Sequence, residues 1–199
     1  MNNNNSLKDV AGRLAFDIDG VFANTMELFI RLIREYYQID SIRYENITRY
    51  FLYDCLPLDR EKIDVVINKI LDYPHALEMD PFDHSVPVLT RYAENHPLVF
   101  ITARNKEAPI RDWVLQTLPE VDPKNIRVIA TGEHHLKLDL LKDLGFSYYL
   151  DDHLDTCIQL AQNGIKPIVF SQPWNTGNND FHRVDDWVEV EKILLPEGV

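Results

Sequence analysis

The second half of the chain alternates between two hydrophobic rhythms. Four short apolar runs, at 97–102 (PLVFIT), 126–130 (IRVIA), 146–150 (FSYYL) and 167–170 (PIVF), lack the apolar/polar alternation of a half-exposed strand. They predict strands, the first of them buried on both faces. Between them lie amphipathic stretches at 106–118, 136–144 and 154–163. The first predicts a helix with Ile110, Trp113, Val114 and Leu118 inward. A final helix is expected over 187–195, after a polar loop at 171–180. The segment 13–18 (RLAFDI) is another short apolar run, ending in acids and Gly20, and it belongs with the strands by composition. The residues that follow it have a helical rhythm instead. Asn24 or Thr25 caps a helix whose stripe is Phe29, Leu32, Ile33 and Tyr36. Positions 41–58 are aromatic and broken and predict no clear element. Asp59, after Pro57, starts a helix with Ile63, Val66, Ile67 and Ile70 as its stripe. Beyond Pro81, Ser85 opens another helix to about His96, with Pro87 tolerated in its first turn.

Strands alternating with helices of about ten residues imply βαβ units and a parallel sheet. The fold class expected is α/β, a Rossmann-like parallel sheet, with the helical stretch of roughly 22–85 inserted after the first strand. A length of 199 residues fits one domain carrying such an insert. No internal repeat is visible. Hydrophobic residues make up 45% of the chain, which excludes disorder for most of its length. The formal charge of −12 argues against a binder of nucleic-acid polymers or membrane surfaces, because both need clustered positive charge. No apolar stretch approaches the ~20 residues needed to span a bilayer. Cys55 and Cys157 show no metal-binding or CxxC spacing and read as small buried hydrophobes in a reducing compartment. The Asn-rich start has no apolar segment behind it, so no signal peptide is expected; residues 1–8 are expected to fray. A cytoplasmic, soluble protein is the expectation.

In a parallel sheet of this kind, ligands bind beyond the carboxyl ends of the strands. Asp17 and Asp19 end the first strand. Thr102, Ala103 and Arg104 end the second. Lys137 opens the helix after the third. Asp151 and Asp152 end the fourth. Residues distant in sequence thus converge on one rim. Four carboxylates in one place need a cation, and an all-oxygen set favours Mg²⁺. Thr102, nearby backbone amides and Lys137 form an anion cradle beside it, so that a phosphate can bridge the two. Asp17 is then the candidate nucleophile. Asp19 is the candidate acid/base, protonating a leaving alkoxide and later deprotonating a water. Blander readings stand beside this one. Thr102 can simply cap the next helix, and Lys142 can replace Lys137. Asp155 reads as a helix-terminal charge, and Arg104 reads equally as a substrate contact or a structural ion pair. His134, His135 and His153 raise a zinc site as a minor alternative. Trp174 and Trp187 read as packing residues.

In order, FDIDGVFANT, ITAR, Lys137 and YLDD resemble the haloacid-dehalogenase superfamily of aspartate-nucleophile phosphatases. The insert looks like that superfamily's small helical cap of the C1 type. The ending VFSQPWN…HRVDDW is similar to the 5'(3')-deoxyribonucleotidase-like branch. The resemblance implies a core of residues 9–21 and 87–199, a cap of 22–86 and a flexible start at 1–8. It implies Asp17 as nucleophile and direct Mg²⁺ ligand, and Asp19 as acid/base with its backbone carbonyl on the metal. It further implies Asp152 as a direct ligand, Asp151 acting through water, and Thr102, Ala103 and Lys137 around the phosphoryl group. Asp19 favours phosphoester hydrolysis over dehalogenation. Some members of the branch carry Thr-Ser in the second motif; here Thr102 is followed by Ala103 and Arg104. Tyr50, Phe51 and Tyr53 are the candidates for a nucleoside pocket in the cap. The activity expected is a Mg²⁺-dependent phosphomonoesterase acting through an aspartyl-phosphate. The partner expected is a small phosphomonoester such as a nucleoside monophosphate. The rivals are a phosphatase for a sugar phosphate or other metabolite, a receiver-like signalling domain and an inert Mg²⁺-binding relative. A receiver carries its acids in a different order and lacks the insert.

Overall fold

The structure, a computed structural model, describes residues 10–177 and 180–196. The expected fraying at 1–8, two positions of the 171–180 loop and the last three residues lie outside them. Six strands form one parallel sheet in the order β3-β2-β1-β4-β5-β6. They are β1 (Leu14–Phe16), β2 (Leu98–Thr102), β3 (Ile126–Ala130), β4 (Tyr148–Asp151), β5 (Lys166–Phe170) and β6 (His182–Val184). The helices are α1 (Thr25–Tyr37), α2 (Arg60–Asp72), α3 (Ser85–Ala93), α4 (Glu107–Thr117), α5 (Lys137–Asp143), α6 (Leu154–Gln162) and α7 (Trp187–Leu194).

The absence of alternation in the strands has the expected cause: both faces of the sheet are covered. Leu14, Phe16, Leu98, Phe100, Leu150 and Ile168 face one apolar layer with Trp113 and Trp187. Ala15, Val99, Ile101 and Tyr149 face the other, with Leu138, Leu141 and Leu160 of α5 and α6. Phe16 and Phe100 are register partners on β1 and β2. Trp187 stacks on Phe16 at 6.3 Å. Its indole also donates to the Val21 carbonyl at 2.8 Å, which pins the loop after β1.

From β1 the chain builds outward through β2 and β3, then returns to β1's other side for β4, β5 and β6. The carboxyl ends of β1, β2 and β4 therefore meet where the direction of winding reverses. That is the crevice where such sheets bind ligands.

Several expectations are corrected. β6 was not foreseen: only Val184 of its three residues is buried, and parallel backbone pairing to β5 holds it. β1 stops at Phe16, before the acids, and β4 starts at Tyr148 and takes in Asp151. Asn24 occupies the cap position of α1 without a side-chain cap bond. Phe29, Leu32 and Ile33 are buried, but Tyr36 is exposed, with Lys69 of α2 over its ring at 4.5 Å. Cys157 is buried and Cys55 only half-buried; both are free thiols.

The stretch after β1 leaves and re-enters the sheet through one doorway. Ala23 bridges Pro81 in antiparallel sense, and the Asn24 amide donates to the Asp80 carbonyl at 2.9 Å. Between these points α1 packs on α2, and the broken region holds two single turns, Tyr44–Asn46 and Leu52–Asp54. Among the described residues, no helix is long and apolar enough to cross a membrane.

Candidate active site

β1 ends one residue before Asp17, whose amide still donates to the Leu150 carbonyl of β4 at 2.8 Å. The sheet thus fixes the Asp17 backbone against the residue preceding Asp151. Side-chain oxygens of Asp17, Asp151 and Asp152 lie within 4.8 Å of one another, and all three residues are buried. Lys137, fully buried, sits between two of them. Its Nζ is 3.1 Å from Asp17 Oδ1 and 3.1 Å from Asp151 Oδ2. Lys142, on the same helix, is exposed and lies outside this cluster.

Asp151 is fully engaged, because its other oxygen accepts the His153 amide at 2.8 Å. Asp152 is not. Its Oδ2 accepts the Trp174 indole N–H at 2.8 Å, while its Oδ1 is buried with no partner. A buried carboxylate oxygen without a donor is costly unless something fills its place. With two more carboxylates in reach, the site suits a hard, oxygen-seeking cation. Gly20 makes room for this arrangement. Its φ is +72°, and a Cβ there would stand 2.2 Å from Asp152 Oδ2.

The electrostatics follow from burial. It pushes the Asp17 carboxyl up to about 7; Lys137 pulls it back, and Asp151 and Asp19 push the same way as burial. Asp152 is driven well above the carboxylate range by burial and then by Asp151 and Asp17. For Lys137, burial works against the charge, but Asp151 and Asp17 overcome it and raise the ammonium.

Asp19 lies in different company. Arg104 grips it with both arms: Nε donates to Oδ2 at 2.9 Å and an Nη to Oδ1 at 2.7 Å. The Thr25 hydroxyl donates to Oδ1 at 2.6 Å. Burial would raise the Asp19 carboxyl, but Arg104 and Thr25 together outweigh it and hold it below its ordinary value. Arg104 thus forms an ion pair with Asp19, and its side chain also borders the cavity. Thr102 is buried at the rim and accepts the Arg104 amide at 3.3 Å. It does not cap α4, whose cap position is Lys106.

Above the carboxylates opens a cavity of about 300 Å³. Its floor includes Asp17, Asp19, Thr102, Ala103, Arg104 and Asp152. Its roof is apolar and comes from the insert, including Tyr50, Phe51, Tyr53, Ile47, Ile63 and Ile67. Phe51 and Tyr53 stack nearly parallel at 5.6 Å and are partly exposed. Tyr50 is buried deeper. Its hydroxyl meets His134 Nε2 at 3.1 Å, and its ring lies 3.9 Å from that of His153. Burial, then Lys137 and His153, depresses His134 to about 4, so the imidazole is neutral at pH 7. Among the described residues no histidine joins the carboxylate trio, and exposed His135 pairs with Glu133 at 3.0 Å. Asp155 is exposed in the first turn of α6, as a helix-terminal charge should be.

Trp174 was misread. It is no mere packing residue: it lines the cavity and fixes Asp152. Thr25 and Gln172 were also missed as site residues. Gln172 donates to the Gly20 carbonyl at 2.7 Å and accepts the Tyr44 hydroxyl at 2.9 Å, tying the insert to the loop beneath it. The only available hint was a tryptophan in an otherwise polar loop. Trp187 does pack in the core, as read.

The chain is similar to known proteins over nearly its whole length. A nucleotidase of Clostridium acetobutylicum is 23% identical over 183 residues, covering 91% of this chain and 92% of its own. A Staphylococcus aureus protein with the provisional name 5'(3')-deoxyribonucleotidase is 24% identical over 189 residues, covering 92% and 94%. Among solved structures, a haloacid dehalogenase-like hydrolase of Streptococcus pneumoniae superposes with a TM-score of 0.60 at 14% identity, over 89% of this chain and 95% of its own. CbbY of Rhodobacter sphaeroides, solved with phosphate, gives 0.57 at 17%, over 90% and 96%. These structures share the fold. The family model for the 5' nucleotidase, deoxy (pyrimidine), cytosolic type C protein matches residues 11–197. The chain therefore belongs to that family, a nucleotidase branch of the haloacid-dehalogenase phosphatases, and is a hydrolase of phosphomonoesters.

Proposed function

We propose that this enzyme is a Mg²⁺-dependent nucleoside monophosphate phosphatase working through an aspartyl-phosphate on Asp17, with residues 22–86 as its cap. The observation that carries the reading is the buried trio Asp17, Asp151 and Asp152, with one unpartnered oxygen, opening into a cavity with an aromatic roof.

Asp17 and Asp152 are assigned as direct ligands, with the Asp19 carbonyl. Asp151, tied to Lys137 and His153, acts through water. Bound Mg²⁺ supplies neutralisation of these acids and of the phosphoryl oxygens. Thr102, the backbone around Ala103 and Lys137 orient the phosphoryl group. A carboxylate oxygen of Asp17 attacks phosphorus as the ester C–O–P bond breaks on the phosphorus side. The leaving alkoxide takes a proton from Asp19. Asp19 then removes a proton from water, which attacks the aspartyl-phosphate and releases inorganic phosphate. Arg104 keeps Asp19 ionised at rest, ready for the second step. An arriving phosphate dianion raises the carboxyl by like charge and favours the proton uptake the first step needs. The apolar roof, with Phe51 and Tyr53 at its mouth, suits a flat nucleobase better than a hydroxyl-rich sugar, which would leave buried hydroxyls unpaired. The negative overall charge favours a free small ester over a polymer.

The test is phosphate release from a panel of deoxynucleoside and ribonucleoside monophosphates, sugar phosphates and an aryl phosphate, with Mg²⁺ and with chelator. Nucleoside monophosphates should lead, chelator should silence the reaction, and Asp17→Asn should abolish it. A sugar phosphate turned over faster than every nucleotide would overturn the substrate assignment. Full activity of Asp17→Asn would overturn the mechanism.

A further inference from the structure

Arg104 is a buried guanidinium with a third set of contacts. Two of its nitrogens hold Asp19. The remaining Nη faces the carbonyls of Ile70 and Leu71, each at 3.5 Å, at the C-terminal end of α2. Those carbonyls are among the last four of the helix, which have no partner within it. The nitrogen that holds Asp19 Oδ1 also lies 3.9 Å from Met79 Sδ, in the segment returning from the insert. α2 is docked here by a neighbour as well, Lys106 pairing with Asp72 at 2.8 Å, and the returning segment is held by the Trp113 indole, which donates to the Met79 carbonyl at 2.8 Å. Arg104 is therefore one rigid fork whose two ends rest on different bodies, the loop carrying Asp19 and the end of an insert helix.

We infer that Arg104 is a positioning residue that sets the orientation of Asp19 according to how α2 is seated, so that the acid/base aligns only when the insert is closed over the site. A planar guanidinium with several fixed donors suits this task. Lysine, with a single ammonium on a flexible stem, does not. With both carboxylate oxygens of Asp19 held, its rotation is stopped. With α2 lifted, the fork loses its far support. The two alternatives for such a residue are a direct phosphate contact and a purely structural ion pair.

The inference rests on the phosphatase reading above, and its test separates the two. An alkyl phosphomonoester needs a proton at its poor leaving group. An activated aryl phosphomonoester scarcely does, while both need Asp17 and the cation. Arg104→Gln and Arg104→Lys should each lower kcat for the alkyl ester by about 10- to 100-fold, part of the roughly 100- to 10,000-fold that a positioned acid contributes in full. The aryl ester should keep its kcat within a few-fold. Mg²⁺ binding should be unchanged, and hydrogen exchange over residues 68–80 should rise. Arg104→Lys keeps the buried charge, so it reports even if Arg104→Gln folds poorly. Equal losses on both esters, or a rise in KM alone on both, would overturn the inference and assign Arg104 to structure or to phosphate binding. Unchanged exchange at the end of α2 would overturn its coupling to the insert. A wild-type enzyme silent on both esters would overturn the phosphatase reading itself and this inference with it.

Discussion

Replacing Gly20 with alanine tests whether the Asp152 carboxylate is held where a cation needs it. Two costs add. The first is conformational: φ at Gly20 is +72°, and a non-glycine residue there costs about 1–2 kcal/mol. The second is steric. The new Cβ would lie 2.2 Å from Asp152 Oδ2, 2.8 Å from its Cγ and 3.1 Å from Cζ2 of Trp174. Carbon and oxygen need more than 3 Å, so the carboxylate has to move by roughly 1 Å. That movement breaks the Trp174 hydrogen bond and leaves the indole N–H without its partner, which costs about 1–3 kcal/mol. The total is about 2–5 kcal/mol, a large fraction of the ~5–15 kcal/mol that folds a typical domain. Gly145 supplies the control. Its φ is +77°, but a Cβ there meets nothing within 4 Å, so Gly145→Ala should cost only about 1–2 kcal/mol. Urea denaturation without Mg²⁺ measures both, and titration calorimetry measures Mg²⁺ affinity. Gly20→Ala should be the less stable by about 1–3 kcal/mol and should bind Mg²⁺ at least about tenfold more weakly. Equal stabilities together with undiminished Mg²⁺ affinity would refute the steric argument.

Two further outcomes follow from the same carboxylates. Trp174→Phe keeps the ring and removes the donor to Asp152. Mg²⁺ affinity by calorimetry should fall about 10- to 100-fold with little change in melting temperature; unchanged affinity would return Trp174 to packing. Asp17 is raised to about 7, so its stability contribution without cation is full below the ordinary carboxylate value near 4 and is lost as pH rises through about 7. Cation binding should therefore expel protons near pH 6.5. Its heat should vary with the ionisation enthalpy of the buffer, and its affinity should rise toward pH 8. A buffer-independent heat would show that Asp17 and Asp152 are already ionised.

What the sequence disclosed depended on how local its cause was. The strands 97–102 and 167–170 were legible because burial on both faces leaves nothing polar between Leu98 and Ile101 or between Ile168 and Phe170. The rim was legible because a parallel sheet puts every strand's carboxyl end on one side, so Asp17, Thr102 and Asp151 had to converge. β6 was hidden because its stability comes from backbone pairing to β5 rather than from its side chains His182 and Arg183. Trp174 was hidden because its partner, Asp152, lies 22 residues away and only the fold brings them together. Arg104 was undecidable for the same reason: a substrate contact and an ion pair require the same residue type, and only the position of Asp19 separates them. Tyr36 was misassigned because a helical stripe does not reveal where the neighbouring helix ends.

The charge of the site sets the order in which it can be filled. Asp17, Asp151 and Asp152 are opposed by Lys137 alone, whereas Asp19 is matched by Arg104. Three carboxylates against one ammonium leave a surplus of two negative charges in a buried space. Without a cation, the surplus can be relieved only by holding protons, which is why burial drives Asp17 and Asp152 upward. A phosphomonoester brings further negative charge. Lys137 cannot meet it unaided, because its ammonium is already shared between Asp17 and Asp151. Thr102 and backbone amides offer dipoles, not charge. An ester arriving first would thus meet acids made neutral only by the protons they hold, with no spare positive charge to receive it. A divalent cation cancels the surplus of two, after which the same carboxylates no longer repel the phosphate. Under the proposed reading, the cation therefore precedes the ester, and its valence, more than the lysine, sets the condition for binding phosphate.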